Sequence, residues 1–433
     1  MSDLLRILSE WNRWWETGSV SPELTGKKRR YTHELSSLMD AREVKVLTGV
    51  RRSGKSTLFY QLIEGLLKDK GIPGNQIMLV NFEDEALMHF TLEEIYNAYQ
   101  THLSPKGKVF LFLDEVQQKV GWERWIRKKY DLKEAINFLV TGSSASLLSR
   151  EYATLLTGRN LTTTIYPLSF LEVLHFSGIQ INDIYLVSQE MRNRINGVLI
   201  EYLQEGGFPE VVFQKQNLKR RLLNQYFQDI VYKDIVGRHG CHPTRIKDLA
   251  SYLMTNVANP TSLRALRGAF GYGLNVIGDY LGYLEDAFLI FQVYLFDYSM
   301  KKQLVNPRKI YTVDNGIRNA VAFNFSRDEG RLLENAVFME LRRRERDIYY
   351  WKDKRGREID FLIRKELKIE SAIQVCSDPN DEKTVRREMS ALDSAMKEYD
   401  LKEGLIITMN DAGTLKREIG TITLVPLYEW LLG

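Results

Sequence analysis

Eight consecutive residues, Gly49-Val50-Arg51-Arg52-Ser53-Gly54-Lys55-Ser56, fit the spacing G-x-x-x-x-G-K-[ST], and Thr57 follows directly. Glycines let a backbone curl until successive N–H groups face one anion, and the start of a helix just after adds its dipole. Such a loop cradles the phosphates of ATP through Gly49, Val50, Arg51, Arg52, Ser53, Gly54, Lys55, Ser56 and Thr57. Lys55 is expected to bridge the β- and γ-phosphates, and the Ser56 hydroxyl to ligate Mg²⁺. A second constellation, Asp114-Glu115, ends the apolar run Val109-Phe110-Leu111-Phe112-Leu113. Asp114 is placed to hold Mg²⁺, directly or through water, and Glu115 to polarise an attacking water. The pair argues for hydrolysis over storage, because mere binding needs no general base. A third group, Thr141-Gly142-Ser143-Ser144, closes the next apolar run. A hydroxyl there would sense the γ-phosphate or orient the water; Ser143 is the candidate, Thr141 and Ser144 the alternates.

These groups need elements to hold them. Val44-Lys45-Val46-Leu47-Thr48 reads as a strand running into the glycine loop, and apolar spacing predicts a helix over 56–68. Strands over 76–82, 108–113 and 137–141 alternate with helices over 91–101 and 122–130. Thr91 and Glu94 form a capping-box pattern at the start of the first of these. Alternating strands and helices predict an α/β, doubly wound parallel sheet, with the catalytic groups at its strand ends. The expected organisation is a helical lead-in over 1–40, the α/β domain over 41–180, a helical domain over 181–325 and a strand-rich tail over 326–433.

The composition sets outer bounds. In 433 residues, 44% are hydrophobic and 27% charged, which supplies material for real cores and excludes disorder as the main state. The net charge of +4 forces no partner. Two distant cysteines, Cys241 and Cys376, exclude a disulfide scaffold and fit a reducing, cytoplasmic setting. No apolar run approaches the ~20 residues that a bilayer span needs, so no membrane partner is expected. The opening residues carry Asp3 and lack a basic region and a cleavage site, and so do not read as a signal peptide.

Together the motifs resemble those of an AAA+-type P-loop ATPase family, archaeal and bacterial, with a C-terminal PD-(D/E)XK nuclease-like domain of unknown function. The resemblance rests on 47–57, Leu113-Asp114-Glu115-Val116-Gln117 and Thr141-Gly142-Ser143-Ser144. It continues through Thr157-Gly158-Arg159, Tyr166-Pro167-Leu168-Ser169-Phe170, Gly206-Gly207-Phe208-Pro209-Glu210, Tyr232-Lys233-Asp234-Ile235 and Leu333-Glu334-Asn335. It implies a homo-oligomer in which a neighbouring subunit delivers an arginine to the γ-phosphate; Arg159 matches, with Arg150 second. It implies a winged helix-turn-helix within the helical patterns at 246–257, 262–269 and 275–287, its third helix presenting Asn275 to a groove.

Eight Lys and Arg against Asp229 and Asp234 over 215–247 add a basic stripe suited to DNA or other nucleic acid. In the tail the resemblance places Glu334 on a helix and Asp360 at a hairpin. The expected acid and lysine of the next strand are instead Gln374 and Cys376. With half of its groups gone, the nuclease-like site is expected to be inactive. His239-Gly240-Cys241-His242 lacks the second cluster that a structural zinc site needs. Three functions remain open: an ATPase acting on or with nucleic acid, a nucleotide-dependent signalling or assembly switch, and an active ATP-linked nuclease.

Overall fold

Val109, Leu111 and Leu113 face one core while Phe110 and Phe112 face another, and this alternation organises the first part of the chain. The computed structural model describes residues 2–144, 158–181, 187–323, 329–377 and 382–433. The chain divides into two compact units, Met1–Ile165 and Tyr166–Gly433.

In the first unit, β1 (Val44–Thr48), β2 (Ile77–Asn81), β3 (Val109–Asp114), β4 (Ile136–Gly142) and β5 (Asn160–Thr164) form one parallel sheet. Its order is β2-β3-β4-β1-β5. Every residue of β1, β3 and β4 is buried, as expected where helices cover both faces. The helices are α1 (Ser2–Trp11), α2 (Arg30–Ser37), α3 (Lys55–Lys68), α4 (Leu92–Leu103) and α5 (Trp122–Asp131). α1, α4 and α5 share a core with Val46, Leu111 and Val140. α2 and α3 share the other with Leu47, Phe112 and Leu139. The expected capping box of Thr91 and Glu94 opens α4. β5 is a threonine-rich edge strand, partly exposed along its length, with no apolar run in the sequence to announce it.

The lead-in belongs to this core. Asn12 donates to the Leu79 carbonyl at 2.8 Å and accepts from its N–H at 2.6 Å, and Trp14 and Trp15 both donate to the Ile77 carbonyl. The edge strand β2 thus has backbone groups satisfied by the segment that precedes the sheet.

The second unit runs through α6 (Phe170–Phe176), α7 (Gln189–Glu205) and α8 (Gln216–Asp229). α8 runs directly into a π-helical stretch, Ile230–Val236. Then come α9 (Pro243–Thr255), β6 (Pro260–Thr261), α10 (Leu263–Phe270), α11 (Leu274–Asp286), β7 (Ile290–Tyr294) and β8 (Arg308–Thr312). The strands form a small antiparallel sheet, β6-β8-β7, in a region whose sequence reads mainly as helix.

α12 (Asn315–Val321) and α13 (Glu329–Arg343) lead to the tail, whose strands are β9 (Asp347–Lys352), β10 (Glu358–Lys365), β11 (Lys368–Cys376), β12 (Glu403–Thr408), β13 (Gly413–Lys416) and β14 (Thr421–Pro426). They make a mixed sheet in the order β13-β14-β12-β11-β10-β9. α14 (Glu382–Tyr399) lays Ala391, Leu392, Ala395 and Met396 on its apolar face.

Two quoted motifs meet here. The Leu168 N–H donates to the Gly207 carbonyl at 2.7 Å, and Ser169 with Glu172 closes a capping box on α6. Asp314 accepts from the N–H groups of Gly207, Gly316 and Ile317, joining this junction to the start of α12.

Candidate phosphate site and the acid cluster of the tail

Parallel strands in register bring their C-terminal ends to one edge. Thr48 pairs with Gly142 and Leu113 with Val140, so the loops leaving β1, β3 and β4 lie side by side. Gly49 takes φ +143°, and a Cβ there would come within 2.1 Å of the Ile165 carbonyl oxygen, so no larger residue fits. Gly54 takes φ +97° and starts α3, whose first amide groups point back into the loop.

Lys55 and Ser53 are buried within this turn. The Lys55 ammonium donates to the carbonyls of Gly49 at 3.0 Å and Val50 at 3.2 Å, and lies 4.0 Å from Glu115. Arg51 pairs with Glu83 at 2.8 Å. Arg52 adopts φ +69° in the loop.

The two acids at the end of β3 are also buried. Burial pushes the Asp114 carboxyl upward; the hydroxyls of Thr141 and Ser56 and the charge of Lys55 oppose that. Burial likewise raises Glu115, Lys55 opposes it, and Asp114 adds to the rise. Thr141 donates to Asp114 and accepts from the Glu115 N–H at 2.9 Å, linking both acids to β4. Glu115 sits at φ +52°, a conformation that costs a non-glycine residue and is held by its surroundings. Gln117 donates to its outer oxygen.

Of the three hydroxyls singled out after β4, Thr141 makes these contacts; Ser143 and Ser144 lie just beyond, also buried. Thr48 Oγ1 and Ser53 Oγ are buried without a hydrogen-bond partner among the described residues. Such orphaned groups beside an amide cradle fit a ligand rich in oxygen. Ser56 and Asp114 are oxygen donors of the kind that Mg²⁺ prefers.

One contributor was hidden in the sequence. In the basic run Lys27-Lys28-Arg29-Arg30, only Arg29 is buried, and it donates to the Ser53 carbonyl at 2.7 Å. Gln61 on α3 ties the same segment down through the carbonyls of Thr25 and Lys27. The lead-in therefore fixes the phosphate loop; four adjacent charges gave no sign of which one turns inward.

The structure does not bring Arg159 to this edge. Its carbonyl accepts from the Val44 N–H at 2.8 Å, so it stands at the opposite end of β1 from the loop, and it pairs with Asp131 at 3.1 Å. Arg150 and Thr157 lie outside the described residues.

The tail residues converge. Asp360 lies on β10, and its N–H donates to Gln374 Oε1 on the neighbouring strand at 3.2 Å. Glu334, on α13, and Asp360 both contact the ammonium of Lys309, at 2.9 and 2.8 Å. They floor a cleft of about 660 Å³. His239, by contrast, stacks on Tyr283 with ring centres 3.8 Å apart.

The profile of a family described as an AAA domain matches residues 41–174. Two families described as domains of unknown function match 196–328 and 329–430. An uncharacterized protein of Methanocaldococcus jannaschii is 34% identical over 428 residues, covering 95% of this chain and 93% of that protein. An uncharacterized protein of Haemophilus influenzae is 33% identical over 348 residues, covering 78% of this chain and 84% of that protein. Among solved structures, the Aeropyrum pernix ORC1 protein in complex with DNA aligns at a TM-score of 0.31 and 12% identity, over 71% of this chain and 95% of that one, a likeness too slight to argue from. At this identity and coverage the chain belongs to the same family as these archaeal and bacterial proteins, and its residues 41–174 form the AAA domain.

Proposed function

We propose that the chain binds ATP with Mg²⁺ and hydrolyses it to ADP and phosphate. The observation that carries this reading is the gathering of Lys55, Asp114 and Glu115 at three aligned strand ends, with Thr141 holding both acids. The amides from Gly49 to Thr57 grip the phosphates. Lys55 leaves its loop carbonyls to meet the β- and γ-phosphates. Ser56 and Asp114 would hold Mg²⁺, which would supply charge screening to the phosphate oxygens. Glu115 orients the attacking water and takes its proton; burial favours that role by raising its affinity for a proton. Ser143, beyond Thr141, faces the γ-phosphate as a sensor.

Glu115→Gln is expected to keep ATP affinity within a few-fold and to lower turnover by about 10²–10⁴-fold. Calorimetry and a phosphate-release assay measure the two. Normal turnover by this variant would remove Glu115 from the role.

The reading includes work on or with nucleic acid. From α9 to β8 the order is helix, strand, two helices, then two paired strands with the short helix Met300–Val305 between them, which supports a winged helix, and Lys215, Arg220, Arg221, Lys233 and Arg245 are exposed. One observation favours a second reading, a nucleotide-dependent assembly switch. The third helix, α11, carries Asp279, Glu285 and Asp286 and no Lys or Arg, which suits a protein partner better than a phosphate backbone.

A further inference from the structure

The tail's acid cluster looks, by resemblance, like a place for Mg²⁺, and its residues do not fit that ion. Lys309 leaves the central strand of the small sheet, β8, with its side chain almost wholly buried. Its ammonium stands 2.9 Å from Glu334, 2.8 Å from Glu358 and 2.8 Å from Asp360. An ammonium has three N–H donors, and three carboxylates surround this one: it donates to Glu334 and Asp360 and forms an ion pair with Glu358. Other donors reach the same three carboxylates. Asp360 accepts from the Val375 N–H at 3.0 Å, Glu358 from Lys352 at 3.0 Å, and Glu334 from the Tyr311 hydroxyl at 2.6 Å. Next to them Glu388 is taken by Arg387 and Gln374. The acids that a divalent ion would bridge already share a cation.

We propose that the ammonium of Lys309 stands where a divalent cation would bridge Glu334, Glu358 and Asp360, so that the cluster is a fixed clasp joining β8 to α13 and β10 and holds no Mg²⁺. The geometry explains why Cys376 is tolerated where a lysine was expected: the cation of this site comes from another strand. It also explains why Gln374 is tolerated, because one ammonium neutralises less acid than a divalent ion. The clasp spans the junction at 328–329 where one matched family ends and the next begins, so the tail is joined to the preceding sheet by buried charge. This inference is independent of the ATPase reading.

The test uses the full chain without nucleotide and Mn²⁺ alone as the probe, with bound ion counted by electron paramagnetic resonance. Wild type and Asp360→Asn are expected to bind equally, so that any ion held elsewhere cancels. Lys309→Met, which keeps length and removes charge, is expected to gain one Mn²⁺ with Kd of about 10⁻⁴–10⁻³ M, and Lys309→Met with Asp360→Asn to lose it again. An ion held by wild type and lost in Asp360→Asn overturns the proposal, as does a folded Lys309→Met that gains none. A measurement on the wild type decides the matter even if Lys309→Met does not fold. Mild acetylation read by mass spectrometry should leave Lys309 unmodified with or without millimolar Mg²⁺. Modification that appears when Mg²⁺ is added means that the ion has expelled the ammonium, and overturns the clasp.

Discussion

Glu115 is a buried carboxyl and Glu334 a part-buried one, each beside a lysine, yet they answer to different neighbours. Glu115 has Lys55 at 4.0 Å, a distance that leaves it room to act on a third party. Glu334 touches Lys309 directly and shares it with Glu358 and Asp360. Burial and the nearby Asp360 push Glu334 up to about 7. The folded chain therefore keeps a proton that the unfolded chain gives up near its ordinary value of about 4.3. More protons are bound in the folded state across that window, so this group's contribution to stability is complete at the acid end and is lost as pH rises towards 7. Urea unfolding between pH 5 and about 7 should show a decline in the wild type that is flatter in Glu334→Gln, which cannot titrate. An equal decline in both assigns the pH dependence to other groups.

At the scale of elements, what separates this chain from a generic α/β protein is how its turns are locked. Gly206 ends α7 at φ +75° and ψ −164°, a region that only glycine occupies readily. A Cβ there would lie 1.9 Å from Asp314 Oδ1, and one on Gly207 would lie 2.3 Å from the Leu168 carbonyl oxygen. The segment Gly-Gly-Phe-Pro-Glu is thus a slot into which a buried carboxylate and the start of α6 fit. Phe208 is buried, Pro209 begins a helical turn, and Glu210 accepts from the Tyr226 hydroxyl at 2.5 Å. Gly206→Ala must bend the chain and push Asp314 off the amides that it caps. The expected loss is about 2–4 kcal/mol, from backbone strain together with a broken cap. Chemical denaturation followed by the near-ultraviolet signal of the second unit's aromatic residues measures it, and a loss within experimental scatter would show that Asp314 moves aside at no cost.

At the scale of the whole molecule, the position of Arg159 decides whether one chain suffices. It stands a full strand away from its own phosphate loop, about 16 Å at ~3.3 Å per residue. No rotamer spans that, so any contact with the γ-phosphate comes from the Arg159 of another copy. On this reading Arg159→Ala loses about 10³-fold in turnover and little in ATP affinity. Mixing Arg159→Ala with Glu115→Gln should restore part of the activity, because a mixed pair contains one site with an intact base and a donated arginine. No restoration at any ratio would end the trans assignment. The partner class is tested on the same preparation. Binding of duplex DNA followed by anisotropy should weaken steeply with salt if the basic residues hold phosphates. Failure to bind at low salt, together with a change of mass on adding a slowly hydrolysed ATP analogue, would favour the assembly switch. Among the described residues no helix is long and apolar enough to cross a membrane.

The sequence by itself determined the phosphate loop, the two acids after β3 and the parallel α/β core. Each of these is a local signal: glycines at fixed spacing, an apolar run with an acid at its end, strands alternating with helices. Only the tertiary structure decided which of several similar residues is used. The register of β3 and β4 sets Thr141, one of the three hydroxyls, against both acids, a contact that no local pattern announces. Arg29 was one of four basic residues until the fold turned it onto Ser53. Lys309 carried no local signal, because the acids around it come from positions 25, 49 and 51 residues further along the chain. Local patterns follow from backbone geometry and burial, which act over a few residues; the pairing of buried charges follows from packing, which joins segments that the sequence keeps far apart.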